Sequence, residues 1–121
     1  MGVTREGYAF TGGVIALYTL VTVVVLLSPS LTIPDTAIRL AALLGLLSLS
    51  IAVIMVPFIP VMTGWLGTPF IRIHHSFACA GLLGATLHPL LYAWSAASAA
   101  VFLPLYGSTY IILSTAGRVA L

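Results

Sequence analysis

Two histidines, His74 and His88, lie inside one apolar stretch of the chain. Ionisable residues are rare within membrane spans and are functional candidates by default. On one helix, their separation of 14 residues places the imidazoles roughly 21 Å apart along the axis and about 40° apart in rotation. Two imidazoles on one face, near opposite sides of a bilayer, suit axial ligation of two stacked haems. Such an arrangement would form a path for electrons across the membrane.

The helix face between these histidines carries only small residues. Residues within about 40° of His74 in rotation are Ala78, Gly81, Ala85, His88 and Tyr92. The other side is bulky and lipid-like, with Leu82, Leu83, Leu87 and Leu90. Small residues let helix backbones approach closely, and they would equally leave room for flat macrocycles. Haem ligation and ordinary helix packing, with both histidines hydrogen-bonded to neighbouring helices, therefore both remain open.

Two further candidates, Arg72 and His75, lie at the edge of the span near His74. His75 is about 100° from His74 in rotation, so the two do not share a face. We interpret His75 as an interfacial residue, as a hydrogen-bond donor to a haem propionate, or as a ligand in place of His74. Arg72 is either a topology anchor or the partner of a propionate, which suits guanidinium geometry.

Other metal and nucleophile chemistry has less support. A structural zinc site needs four nitrogen or sulfur ligands, and the sequence has no local cluster of them. The single cysteine, Cys79, is not on the His74 face, and we expect it to be an inert, packed thiol.

The composition indicates an integral membrane protein. Of its 121 residues 61% are hydrophobic and 5% charged, whereas soluble domains are about 25% charged. A net charge of +2 with no basic patch argues against nucleic-acid binding. We therefore expect lipid as the surrounding medium and an all-α, polytopic membrane helical bundle.

The hydropathy pattern predicts about four transmembrane helices in a single domain. A span needs about 20 apolar residues, and the predicted ranges are 7–27, 36–58, 69–94 and 104–121. Residues 63–67 read as a turn before the third span. Thr68 then reads as the N-cap of that span, and Pro69 as its first helical residue.

The arginines predict the orientation. Arg5, Arg72 and Arg118 fall on one side of the membrane if the spans alternate, and Arg39 falls on the other. The positive-inside rule makes the three-arginine side cytoplasmic. We expect a cytoplasmic N-terminus and a location in the cell membrane.

The sequence from Arg72 to Tyr92 resembles the third transmembrane helix of the ferric-reductase-like domain. The shared features are Arg72-x-His74-His75, Gly81, and Leu87-His88-Pro89-Leu90-Leu91-Tyr92. The family includes ferric reductases, NADPH oxidases and the membrane haem partner of bacterial methionine sulfoxide reductase. The resemblance implies a six-helix bundle in which two helices each supply two histidines to two b-type haems. It implies that His74 ligates the cytoplasmic-side haem and His88 the outer one, with Arg72, His75 and Gly81 beside the cofactor.

The chain departs from that family in having one clear histidine pair, where the family has a second pair on its fifth helix. We expect the opposing ligands to come from further C-terminal helices, from a partner subunit or from a second copy. We expect a soluble or quinol electron donor, because the chain has no flavin or nicotinamide domain. In this interpretation the chain is at most the electron-transfer membrane part of an oxidoreductase.

Two other functions stay open. One is a non-redox accessory subunit that packs into a larger membrane complex. The other is a small proton-coupled transporter or channel with the histidines as a relay.

Overall fold

The computed structural model describes residues 2–28 and 32–98, and all of its regular structure there is helical. The elements in chain order are α1 (Arg5–Leu26), α2 (Ile33–Met55), a 3₁₀ turn (Val56–Phe58), α3 (Ile59–Leu66) and α4 (Phe70–Ser95). Three lengths of helix in this part are long and apolar enough to cross a membrane: Arg5–Leu26, Ile33–Leu66 and Phe70–Ser95. The predicted all-helical membrane class is confirmed. The fourth predicted span, 104–121, lies outside the described residues.

Threonine caps start the first two spans a few residues before the predicted positions. The Thr4 hydroxyl accepts a hydrogen bond from Gly7 N at 3.3 Å. Thr32 and Asp35 form a reciprocal capping box, in which each side chain bonds the other residue's backbone amide. The second span was predicted to begin after Pro34 and Asp35, whereas α2 begins directly after its polar cap and includes both residues in its first turn.

The turn predicted at residues 63–67 is wrong, because most of it is helical. α3 begins directly after the 3₁₀ turn and runs to Leu66. Pro60 lies in its first turn, where a backbone N–H would have no partner within the helix. Gly67 ends it with φ of 60°, a left-handed conformation that suits glycine.

The start predicted for the third span is one residue too early. The N-cap is Pro69 rather than Thr68, and the helix begins at Phe70 with no side-chain cap. The Thr68 hydroxyl instead donates to the carbonyl of Leu66 at 3.3 Å. This hydroxyl therefore bonds the end of α3 and does not cap α4.

Helices α2 and α4 pack antiparallel at very short range. A Cβ added to Gly84 would lie 2.6 Å from Cα of Gly45, so the two glycines meet backbone to backbone. A Cβ on Gly81 would lie 2.5 Å from Cγ of Leu49. The small residues of α4 are therefore the surface on which α2 packs.

Polar contacts and a small core attach α1 and α3 to this helix pair. Tyr18 on α1 hydrogen-bonds Ser48, which is 2% exposed on α2. The Ser48 hydroxyl donates its proton to the Leu44 carbonyl at 2.7 Å, so Tyr18 is the donor to Ser48. The amide of Thr4 donates to the carbonyl of Trp65 on α3 at 2.8 Å. Between these helices lies a buried cluster of Ile51, Met55, Met62 and Phe70.

The expectation that Cys79 is packed is wrong, because its thiol is exposed. Cys79 lies about 140° around α4 from His74, on the side away from α2. Other hydroxyls within the helices bond back to a carbonyl four residues earlier, which satisfies them without water. These residues are Thr11, Thr19, Thr22, Thr36, Thr63, Ser76 and Thr86.

Replacing Gly84 by alanine should separate α2 from α4. The added methyl meets the Gly45 backbone, which cannot rotate away, so we expect a loss of about 1–3 kcal/mol in the free energy of unfolding. Denaturant titration in mixed micelles, followed by circular dichroism, measures it. The control is Gly12→Ala, where nothing lies within 4 Å of the added Cβ and helix propensity favours alanine. Equal stability of the two variants would contradict the close contact.

Candidate functional site

The His74 imidazole is held against the C-terminal end of α2. Its Nδ1 lies 3.2 Å from the carbonyl oxygen of Ala52. Ala52 is among the last four residues of α2, whose carbonyls lack the usual helical partner. The amide of Val56 bonds the Val53 carbonyl instead, as the chain tightens into the 3₁₀ turn before Pro57. The imidazole therefore occupies a carbonyl that the end of the helix leaves available.

An aromatic ring also orients His74. The Phe70 ring stacks on the imidazole with centroids 5.5 Å apart and planes 24° apart. Phe70 is one turn earlier on α4 and is buried in the core cluster. Two independent contacts, one to α2 and one within α4, thus determine the orientation of the His74 imidazole.

The His88 imidazole repeats the same contact near the other end of the helix pair. Its Nδ1 lies 3.1 Å from the carbonyl oxygen of Ile38, in the second turn of α2. A carbonyl oxygen has two lone pairs, so Ile38 can accept this bond beside its helical one. Ile38 and Ala52 are 14 residues apart on α2, as are the two histidines on α4. The antiparallel packing therefore presents the same backbone acceptor to each imidazole.

These two bonds determine the tautomer of both histidines. A carbonyl oxygen only accepts, so Nδ1 must be the protonated nitrogen of each ring. In neutral imidazole Nε2 then carries the free lone pair, which is the atom that binds a metal. Within the described residues neither Nε2 has a hydrogen-bond partner. Metal-bound histidines characteristically donate their other N–H to such a carbonyl.

The described residues offer imidazole ligands but no cluster for a bare metal ion. Within residues 2–28 and 32–98, no group of three or more His, Cys, Asp or Glu side chains could hold a metal. A haem supplies its own equatorial nitrogens, so the protein has to provide only axial ligands. Nε2 of His74 and Nε2 of His88 are the two atoms that could serve as such ligands.

Two apolar cavities border α4 in the described structure. A cavity of about 380 Å³ lies between the start of α2 and the end of α4, and one of its walls is Leu91, three residues after His88. A second, of about 240 Å³, lies between α1 and α4, and one of its walls is Phe77, three residues after His74. Neither cavity is lined by a histidine.

The remaining predicted residues are arranged differently. Gly81 is buried against Leu49, so its packing role is observed, while a role beside a cofactor stays a prediction. His75 is exposed, and its ring centroid lies 5.9 Å from that of His74. Arg72 is exposed in the first turn of α4. The structure therefore brings His74 and His88 onto α2 but leaves Arg72 and His75 at the surface.

Sequence reasoning missed the acceptors of both histidines. They are backbone carbonyls, which no residue type specifies, although Pro57 does indicate where α2 ends. It also missed Tyr18 and Ser48, which could have been found as polar side chains inside predicted spans.

No protein family, curated protein or solved structure matches this chain. The interpretation of the site therefore rests on its own residues and their contacts.

The tautomer assignment is directly testable by nitrogen NMR of the haem-free protein with ¹⁵N-labelled histidine. Nδ1 of His74 and of His88 should show the shift of a protonated nitrogen, and Nε2 that of an unprotonated one. His75 serves as the internal control, because no backbone carbonyl selects its tautomer in the described structure. An unprotonated Nδ1 in His74 or in His88 would rule out the hydrogen bond of that residue to α2.

Proposed function

We propose that this chain is a membrane b-type cytochrome subunit, or part of one, that carries electrons across the bilayer. His74 and His88 are its axial haem ligands. The observation that supports this most is the matched pair of Nδ1–H bonds to the carbonyls of Ala52 and Ile38. Both bonds leave Nε2 as the ligand atom, at two levels roughly 21 Å apart along α4.

The chain's own residues supply position and electronic tuning. A carbonyl that accepts from Nδ1–H raises the basicity of the imidazole and prevents its rotation. At the His74 level, Phe70 also restricts the ring by stacking. When bound, the haem supplies reversible one-electron chemistry, and its potential depends on these ligands and on the apolar surroundings.

We propose that the protein lies in the plasma membrane with its N-terminus on the cytoplasmic side. In an antiparallel arrangement, Arg5 on α1 and Arg72 on α4 lie on one side, and Arg39 on α2 lies on the other. With Arg118 in the sequence, three arginines favour one side, which the positive-inside rule makes cytoplasmic. His74 is then the cytoplasmic-side ligand. The electron donor is a soluble protein or a quinol.

A second candidate is a non-redox accessory subunit. It is favoured by the Gly45–Gly84 contact, because a close helix pair with two imidazole–carbonyl bonds is a stable unit without any cofactor. In that case the histidines act only in packing. Haem content distinguishes the two functions.

Substituting the ligands should remove haem selectively. We expect His74→Ala and His88→Ala each to lose about half of the haem bound per chain, since each residue is proposed to serve one of two levels. The pyridine haemochrome assay on purified protein measures this. His75→Ala is the matched control and should keep its haem, because His75 is exposed and has no hydrogen bond to α2 in the described structure. Unchanged haem in both His74→Ala and His88→Ala would reject the proposal.

A further inference from the structure

The larger of the two cavities, of about 380 Å³, is an apolar hollow where α2 begins and α4 ends. The residues that line it are Ile33, Pro34, Ala37, Leu91, Trp94 and Ser95. Within the described structure no residue of α1 or α3 lines it, and Ile33 and Trp94 are 88% and 81% exposed. The walls of an empty hollow lack the dispersion contacts that packed side chains make. This end of the helix pair therefore favours an apolar occupant.

The chain turns away from α4 directly beside this cavity. After the C-cap Ala96, Ala97 has a left-handed conformation with φ of 47°. The amide of Ala97 donates to the Trp94 carbonyl at 3.0 Å, and the amide of Ser98 donates to the Ala93 carbonyl at 3.2 Å. These two bonds form a Schellman motif, which ends a helix. Glycine is the usual residue at the left-handed position because a Cβ is unfavourable there, so we expect contacts beyond the turn to stabilise it.

The sequence that follows the turn is itself apolar. Residues 99–103, which lie outside the described residues, read Ala-Ala-Val-Phe-Leu, and Pro104 opens the predicted span 104–121. Connections between helices usually carry polar residues, glycine or proline, and an exposed run of apolar residues is unfavourable. The composition of this connection therefore indicates that it packs against an apolar surface.

The length of the chain brings this run to the cavity. A chain extends by at most about 3.6 Å per residue, so Phe102 lies within roughly 14 Å of Ser98. Ser95, which is a wall of the cavity, comes three residues before Ser98. The cavity is of the size that encloses small ligands, so it has room for an aromatic ring and an adjoining side chain. A contact between the rings of Phe102 and Trp94 would add to the free energy gained by burial.

We propose that residues 99–103 occupy this cavity, with the Phe102 ring against Trp94. Phe102 is then the anchor of the connection after α4. It determines that the predicted span 104–121 begins beside both α2 and α4. The contact lies within one chain and requires no haem.

Disulfide cross-linking tests this contact in the full chain. In a Cys79→Ser background, Ala37→Cys on the cavity wall is combined with Phe102→Cys. The control pairs Leu90→Cys with Phe102→Cys, because Leu90 precedes Leu91 at nearly the same depth but is turned about 100° from it and does not line the cavity. A disulfide needs Cα atoms within about 7 Å, so we expect the Ala37 pair to cross-link within the chain about tenfold faster than the control. Copper phenanthroline is the oxidant, and intact mass and non-reducing electrophoresis are the readouts.

The same comparison is repeated with the second cysteine at each position from 99 to 103 in turn. Equal rates for the Ala37 and Leu90 partners at every position would overturn the proposal. Cross-links between chains instead of within one would show that a second copy occupies the cavity, and would also overturn it.

Fluorescence of Trp94 provides a readout that needs no cysteine. Trp65→Phe leaves Trp94 as the only indole of the chain. In vesicles of brominated phosphatidylcholine we expect weak quenching of Trp94, because Phe102 covers it, and stronger quenching in Phe102→Ala. The control is Phe58→Ala, which removes an exposed ring at the opposite end of α2 and should leave the quenching unchanged. Strong quenching that Phe102→Ala does not alter would show that lipid fills the cavity, and would overturn the proposal even if the double-cysteine chains fail to fold.

Discussion

The close approach of α2 and α4 at Gly45 and Gly84 is the constraint on which the rest of this structure depends. With no side chain at either position, the helix backbones come near enough for an imidazole on one helix to reach a carbonyl on the other. Larger residues at the crossing would hold the helices apart, and both hydrogen bonds, above and below it, would lengthen together. The two imidazole–carbonyl hydrogen bonds therefore depend on the close contact between the two glycines.

The bilayer explains why the two imidazoles bond to backbone carbonyls. Hydrocarbon offers no water, so each buried polar group must find a partner within the protein. His74 and His88 meet that need through Nδ1, and the same bond leaves the lone pair of the neutral ring on Nε2. At the His74 level the carbonyl comes from the end of α2, where Pro57 and the 3₁₀ turn alter the helical pattern. Helix packing and the orientation of the two imidazoles thus have the same physical origin.

The sequence predicted the helical class, the three described spans and the shared face of His74 and His88, because hydropathy and helical period are local properties. Helix ends were less accurate: the Thr4 and Thr32 caps begin two helices earlier than predicted, and residues 63–66 belong to α3 rather than to a turn. The use of the small-residue face could not be decided from the sequence, since glycine serves a helix contact and a macrocycle equally well. The carbonyl acceptors were beyond prediction, because they depend on the register between two helices.

The central claim is that two imidazoles oriented by α2 are haem ligands, and a visible spectrum of the purified protein tests it most directly. The spectrum is recorded oxidised and then reduced with dithionite, on a preparation whose helical content is confirmed by circular dichroism. The account predicts a sharp α-band on reduction, with the low-spin character of bis-histidine b-type haem. A featureless visible spectrum in folded protein would contradict it, and His74 and His88 would then serve only to hold α4 against α2.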